Sequence, residues 1–123
     1  MFKLSEAELD VMLVLWECTE PIRPSQLLVR LNTCGHDWSI STLQTLLARL
    51  RSKKAVTLEN KKRFHYYFPS VTREDFLAGT IVRLSNRLNT YSPINLTAGL
   101  VDNELLTKQS LAEAAQMLEK KSQ

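Results

Sequence analysis

The sequence predicts a mainly α chain with one small β-hairpin, in which three short helices precede the hairpin and a further helical segment follows it. Three observations carry that reading. Apolar residues recur at helical spacing from Leu9 to Leu50, the period changes to alternation between Val56 and Phe68, and helical spacing resumes at Phe76. The 123 residues suffice for one ordinary domain or for a small domain with an accessory unit.

The first helix is announced by Leu4-Ser5-Glu6-Ala7-Glu8-Leu9, where Ser5 and Glu8 form a capping box and Leu4 and Leu9 a hydrophobic staple. Its buried stripe is read as Leu9, Met12, Leu13 and Trp16, and Pro21 bounds it. Pro24 suits the first turn of a second helix, with Leu27, Leu28 and Leu31 facing inward and Asn32 to Gly35 as its end. The third helix spans Trp38 to Lys54, with Ser39 as N-cap and Leu43, Leu46, Leu47 and Leu50 on one arc. Ser41, Thr45, Ala48 and Ser52 oppose that arc, flanked by Thr42, Gln44 and Arg49, so the outward face is small, hydrogen-bonding and free of carboxylates. Such a face can approach phosphates and base edges without repulsion.

Beyond Lys54, Val56 and Leu58 alternate with Thr57 and Glu59, Asn60-Lys61-Lys62 reads as a turn, and Arg63 to Phe68 is aromatic and alternating until Pro69. Phe64, Tyr66 and Phe68 are expected to pack on the helices, while Lys61, Lys62 and Arg63 project at the tip. Three helices and a cationic hairpin make a winged helix-turn-helix over residues 1–70, whose third helix enters a major groove while the wing follows the backbone. Residues 71–123 are read as a helical dimerisation domain. Val71-Thr72-Arg73-Glu74-Asp75-Phe76 repeats the staple and box logic, with Asp75 in place of the usual Glu opposite Thr72, and starts a helix with Leu77, Ile81, Leu84 and Leu88 on its stripe; Ser92-Pro93 punctuates, and a short helix covers Asn95 to Val101. Leu106-Thr107 caps the last helix, with Leu111, Ala114, Ala115 and Leu118 as buried positions. Some 50 residues in three helices are marginal as an independent core, so a second copy of the chain is the simplest cover.

The net charge of +3 says little, but its distribution is informative. Residues 1–20 carry five carboxylates against Lys3, Arg49 to Arg63 carries seven basic residues against Glu59, and the chain from Val71 onward balances at six each. Local basic charge of this kind is the footprint of a nucleic-acid contact surface. Nothing approaches the ~20 apolar residues of a membrane span, and MFKLSEAELD has acidic residues where a secretory signal would be apolar. A cytoplasmic location is therefore expected, with Cys18 and Cys34 as free thiols. Cys34-Gly35-His36 with Cys18 lacks the ligand number and spacing of structural zinc, so no metal and no other cofactor is expected, nor any small-molecule ligand. Trp16 and Trp38 read as core anchors, and His65 as structural or solvent-facing. A winged helix can also serve as a protein-interaction module, against which the carboxylate-poor third helix and wing weigh. No motif supports an enzyme. Residue patterning does not separate a repressor from an activator or an architectural binder.

Leu4-Ser5-x-x-Glu8, Met12-x-x-Leu15-Trp16-Glu17, Trp38-Ser39-x-Ser41-Thr42-x-x-Thr45-Leu46-Leu47-x-Arg49-Leu50, Lys53-Lys54 and Arg63-x-x-Tyr66-Tyr67-x-Pro69-x-Val71-x-Arg73-Glu74 occur in this order. Together they resemble the penicillinase repressor (BlaI/MecI) family of winged-helix regulators, and copper-responsive repressors of the same superfamily are similar. The resemblance implies a homodimeric bacterial repressor that holds a double-stranded operator dyad through its N-terminal domain and pairs through its C-terminal one. Carried over position by position, it implies base-edge contacts from Thr42, Thr45 and Arg49 and backbone contacts from Ser39, Ser41, Lys53 and Lys54; the charge footprint adds Lys61, Lys62 and Arg63 at the wing as backbone contacts. Pairing would involve Leu77, Ile81, Leu84, Leu88, Leu96, Leu100, Leu111 and Leu118. The chain departs from the family pattern at Ala55, where members commonly carry Gly in a left-handed helix cap, so a cap at Ala55 must be strained or rebuilt, and at Lys62, where Gly is also common and the wing tip becomes more cationic. Gly99-Leu100 stands where penicillin-responsive members carry a cleaved Asn-Phe bond, which argues against release by cleavage there. The absence of cysteine after Cys34 excludes the copper-sensing cluster.

Overall fold

A capping box opens the chain's first helix, as its sequence announces: the Glu8 amide donates to Ser5 Oγ at 3.2 Å and the Ser5 amide to Glu8 Oε1 at 3.3 Å. The computed structural model describes residues 3–88 and 93–122. The order is α1 (Glu6–Glu17), α2 (Pro24–Thr33), α3 (Ile40–Ser52), β1 (Val56–Lys61), β2 (Phe64–Pro69), α4 (Arg73–Arg87), α5 (Pro93–Asp102) and α6 (Lys108–Ser122). The chain divides into two units, Met1–Thr80 and Ile81–Gln123.

The first unit has one apolar core. Val11, Met12, Leu15, Leu27, Leu31, Leu43, Leu47 and Leu50 are fully buried, and Ile22, Leu46, Ala55 and Val56 close around them. All four leucines expected on the inner arc of α3 are there. In α1 the stripe lies differently: Val11, Met12, Val14 and Leu15 are buried, whereas Leu13 is 44% exposed and Leu9 and Trp16 are half-buried. Residues 11–16 are apolar without a break, so helical periodicity fits two neighbouring arcs equally well and tertiary packing selects one.

The α2–α3 connection is held by one amide side chain. Asn32 Nδ2 donates to the Trp38 carbonyl at 3.1 Å and the Trp38 amide donates to Asn32 Oδ1 at 3.0 Å. His36 stacks on Trp38 at 4.1 Å between ring centroids. Gly35 sits at φ 110°, closing α2 through Gly35 N–H to Asn32 O and His36 N–H to Leu31 O. A Cβ there would meet nothing within 4 Å, so the backbone angle alone asks for glycine.

The same cap ends α3 with a different residue. Lys54 N–H bonds to Arg51 O at 3.0 Å and Ala55 N–H to Leu50 O at 2.9 Å, with Lys54 at φ 64°. The strained position is Lys54 rather than Ala55, and Ala55, fully buried, makes the apolar contact that accompanies such a cap.

The hairpin pairs Val56 with Pro69 through to Lys61 with Phe64 in antiparallel register. Its turn is Lys62-Arg63, a step later than Asn60-Lys61-Lys62, and both residues have positive φ, 48° and 73°. The expected inward face of β2 is corrected. Tyr67 packs on the core, and Ile22 exchanges both backbone hydrogen bonds with it, at 3.0 and 2.9 Å. Phe64, Tyr66 and Phe68 take the opposite parity, and none belongs to the core. Both faces of β2 carry rings, so its own pattern could not decide; the Ile22 bridge does.

Trp16 Nε1 donates to the Val71 carbonyl at 2.8 Å and its ring meets Phe76 at 5.8 Å, which ties the start of α4 to α1. Thr72 caps α4 by accepting from the Asp75 amide, and Thr107 caps α6 by accepting from the Ser110 amide, each at 3.0 Å. Ser92 lies outside the described residues. No described residue of α4 or α6 is buried, and Leu111, Ala114, Ala115 and Leu118, expected inside, are exposed.

Lys54→Gly removes the left-handed penalty of a side chain at φ 64° and is expected to raise stability by about 0.5–1 kcal/mol after the entropy of a freer unfolded chain. Urea unfolding of the full chain measures it; an unmoved or lowered midpoint would show that no such penalty exists.

Candidate nucleic-acid interface

Burying four leucines of α3 leaves the opposite flank in solvent. Ser41, Thr42, Gln44, Thr45, Ala48, Arg49, Arg51 and Ser52 are all exposed. Ser39 caps the helix, accepting from the Thr42 amide at 3.2 Å, and its hydroxyl lies 3.1 Å from that of Thr42. Thr45 Oγ1 donates to the Ser41 carbonyl at 3.1 Å, which leaves its oxygen as an acceptor and its methyl as an apolar contact. Arg49 carries five donors in a planar fork and has no carboxylate within 4 Å among the described residues, as is true of Arg51, Lys54, Lys62 and Arg63. Lys61 stands 3.8 Å from Glu59 across open solvent, a separation at which an ion pair contributes little.

Lys53 is placed otherwise. Its Nζ lies 2.7 Å from Glu8 Oε2, donates to Oε1 at 2.9 Å, and donates to the Lys3 carbonyl at 2.8 Å. Glu8 is the one buried charged residue among those described. Burial pushes its carboxyl up, but hydrogen bonds from Lys53 and Ser5 and the charge of Lys53 outweigh that and hold it below the usual carboxylate range. Lys53 thus fastens the last turn of α3 to the first turn of α1.

Two basic residues were not singled out by sequence reasoning. Arg51 follows Gln44 by seven positions and shares its flank of α3; this spacing was readable. Arg23, just before α2, holds its guanidinium carbon 3.8 Å from the centroid of the Phe64 ring. It is remote from Phe64 in sequence, so only the fold brings them together. Among the described residues, no group of three or more His, Cys, Asp or Glu side chains is arranged to hold a metal, and no helix is long and apolar enough to cross a membrane.

Residues 4–120 match the family described as Penicillinase repressor. The chain belongs to the penicillinase repressor family. It is 27% identical over 117 residues to the penicillinase repressor of Bacillus licheniformis, covering 95% of this chain and 90% of that one. To the methicillin resistance regulatory protein MecI of Staphylococcus aureus (strain N315) it is 23% identical, covering 98% and 96%. Among solved structures it is similar to the DNA binding domain of the repressor BlaI, with TM-score 0.52 and 33% identity over 59% of this chain and 87% of that one. It is also similar to the monomeric form of Bacillus licheniformis BlaI in complex with the blaP half-operator, with TM-score 0.51 and 32% identity over 60% and 88%. The expected winged helix-turn-helix is therefore the fold of this penicillinase repressor family member's DNA-binding unit.

The Glu8–Lys53 pair sets a pH dependence. Because the folded carboxyl titrates low, its contribution is present above the unfolded value and is lost as pH falls through the folded one. Lys53→Met leaves a buried carboxylate with Ser5 as its remaining donor, and is expected to cost about 2–3 kcal/mol at about pH 7, a cost that shrinks as pH falls and Glu8 takes up a proton, so the variant loses stability less steeply into acid than the parent. Urea midpoints followed down to about pH 4 test this, and a gap between parent and variant that stays constant with pH would refute it.

Proposed function

We propose that this chain is a sequence-specific DNA-binding transcriptional repressor acting as a homodimer on an operator dyad, with α3 in the major groove and the β1–β2 wing on the backbone. The observation that carries the reading is the α3 flank: a carboxylate-free surface of small hydroxyls and arginines, beside a wing whose tip is Lys62-Arg63. Likeness to a repressor solved on a half-operator supports it. Thr42, Thr45 and Arg49 read base edges, Arg49 by a bidentate pair with guanine. Ser39, Ser41, Lys54, Lys61, Lys62 and Arg63 hold phosphates. Lys53 leaves that list in our reading, because its ammonium is committed to Glu8. The reading assigns the chain no catalytic step.

Pairing is supported by what the C-terminal helices leave uncovered. Leu77, Leu84, Leu88, Leu96, Leu111 and Leu118 are between 41% and 68% exposed, while Ile81 and Leu100 are half-buried. Covering a leucine fully is worth about 1.5–3 kcal/mol, so several together offset the entropy of association. Two copies then present two recognition helices to half-sites about one helical turn, or a multiple of it, apart.

Arg49→Ala is expected to cost about 1–3 kcal/mol on operator DNA and to relax preference, whereas Lys61→Ala weakens operator and scrambled duplex alike and flattens the salt dependence. Fluorescence anisotropy on both duplexes at two salt concentrations separates them; equal losses on both duplexes for Arg49→Ala would remove it from base reading. Leu84→Asp is expected to shift the sedimentation-equilibrium mass from twice 14.1 kDa to 14.1 kDa. A parent chain already at the lower mass would defeat the homodimer.

A further inference from the structure

Between the start of α2, the start of α3 and the wing lies a cleft of about 510 Å³ lined by Arg23, Ser25, Gln44, Arg63, Phe64 and His65, among others. None of its lining residues is a carboxylate. Arg23 has no carboxylate within 4 Å among the described residues; its partner is the Phe64 ring, 3.8 Å from the guanidinium carbon. A cation held on an aromatic face is localised without being neutralised, since the ring engages the face of the guanidinium and leaves its edge donors to an anion. Arg63, the second cation of the cleft, is held at φ 73° in the wing turn directly before Phe64.

We propose that this cleft is a seat for one phosphodiester of the duplex backbone, gripped by Arg23 and Arg63, with Arg23 also fixing the wing through Phe64. The proposal rests on the DNA-binding reading above and adds a contact from the α2 side of the fold. It makes Arg23 a phosphate-binding residue that reads no sequence, because it lies on the wing side of α3 and its ligand is common to every duplex.

Salt titration of the full chain on operator and scrambled duplex tests it. Arg23→Ala is expected to weaken both about five- to tenfold and to lower the slope of log affinity against log salt by about one, with thermal unfolding within about 3 °C of the parent. Arg23→Lys, which keeps the charge, is expected to keep the slope. An unchanged slope in Arg23→Ala, or equal slope losses in the Lys and Ala variants, would overturn the seat while parental DNA binding upholds the functional reading; a parent that binds no duplex would overturn both. Inorganic phosphate at constant ionic strength is expected to leave parental binding unaltered. Displacement of DNA from the parent and not from Arg23→Ala would reassign the cleft to a free anion and overturn the backbone seat.

Discussion

A single buried carboxylate governs how the recognition helix is set. Apolar burial has no direction: four leucines hold α3 against the core, but they tolerate small rotations about its axis. The Glu8 carboxylate does not. Taken out of water at the first turn of α1, it needs donors, and the structure supplies them from the Ser5 backbone amide at its own helix start and from Lys53 at the end of α3. Removing a partner from such a pair costs far more than forming it gains, so the end of α3 stays fastened to the first turn of α1. Lys53 lies at one end of α3 and the Asn32–Trp38 exchange just before the other, so the helix is held at both ends.

Around that fixed helix the chain places side chains where glycine or asparagine would be less strained. Lys54 ends α3 at φ 64°, and Lys62 and Arg63 make the wing turn at φ 48° and 73°. Two-residue hairpin turns of this hand favour Asn-Gly, and helix caps of this hand favour Gly. Gly35 shows that the chain uses glycine for the same geometry elsewhere. Three of the four described side chains at positive φ are thus cations on the carboxylate-poor stretch, the fourth being Glu104 at φ 59° after α5, so around α3 local stability is given up where positive charge is gained. This is the pattern expected when a site rather than the fold dictates the residue.

Much of the fold was legible because the chain states it in unambiguous local chemistry. The Ser5–Glu8 box, Ser39, Thr72 and Thr107 caps, Gly35 and the leucine arc of α3 each follow from spacing alone, and the structure has them all. Where local patterns allowed two answers, only tertiary contacts decided. The unbroken apolar run in α1 left its inward arc open, and the doubly aromatic β2 left its parity open until Ile22 paired with Tyr67. Of the site, the exposed flank of α3 and the cationic tip were readable from periodicity and charge. The commitment of Lys53 to Glu8 and the seating of Arg23 on Phe64 were not, since each joins residues more than forty positions apart.

The two units differ in what they can do alone. Met1–Thr80 closes a core around fully buried side chains, whereas α6, which lies wholly in the second unit, buries none, and its leucines stand in solvent. Helices of this length are marginal in water without an apolar face to pack on. On the proposed reading, association supplies that face, and the same event raises the effective concentration of one winged helix beside another. Each half-site contact then needs only modest affinity, because the second engages as an intramolecular step. A release signal would accordingly have no need to touch the α3 flank: loosening the C-terminal pairing by a few kcal/mol removes the multiplied term and leaves two weak binders.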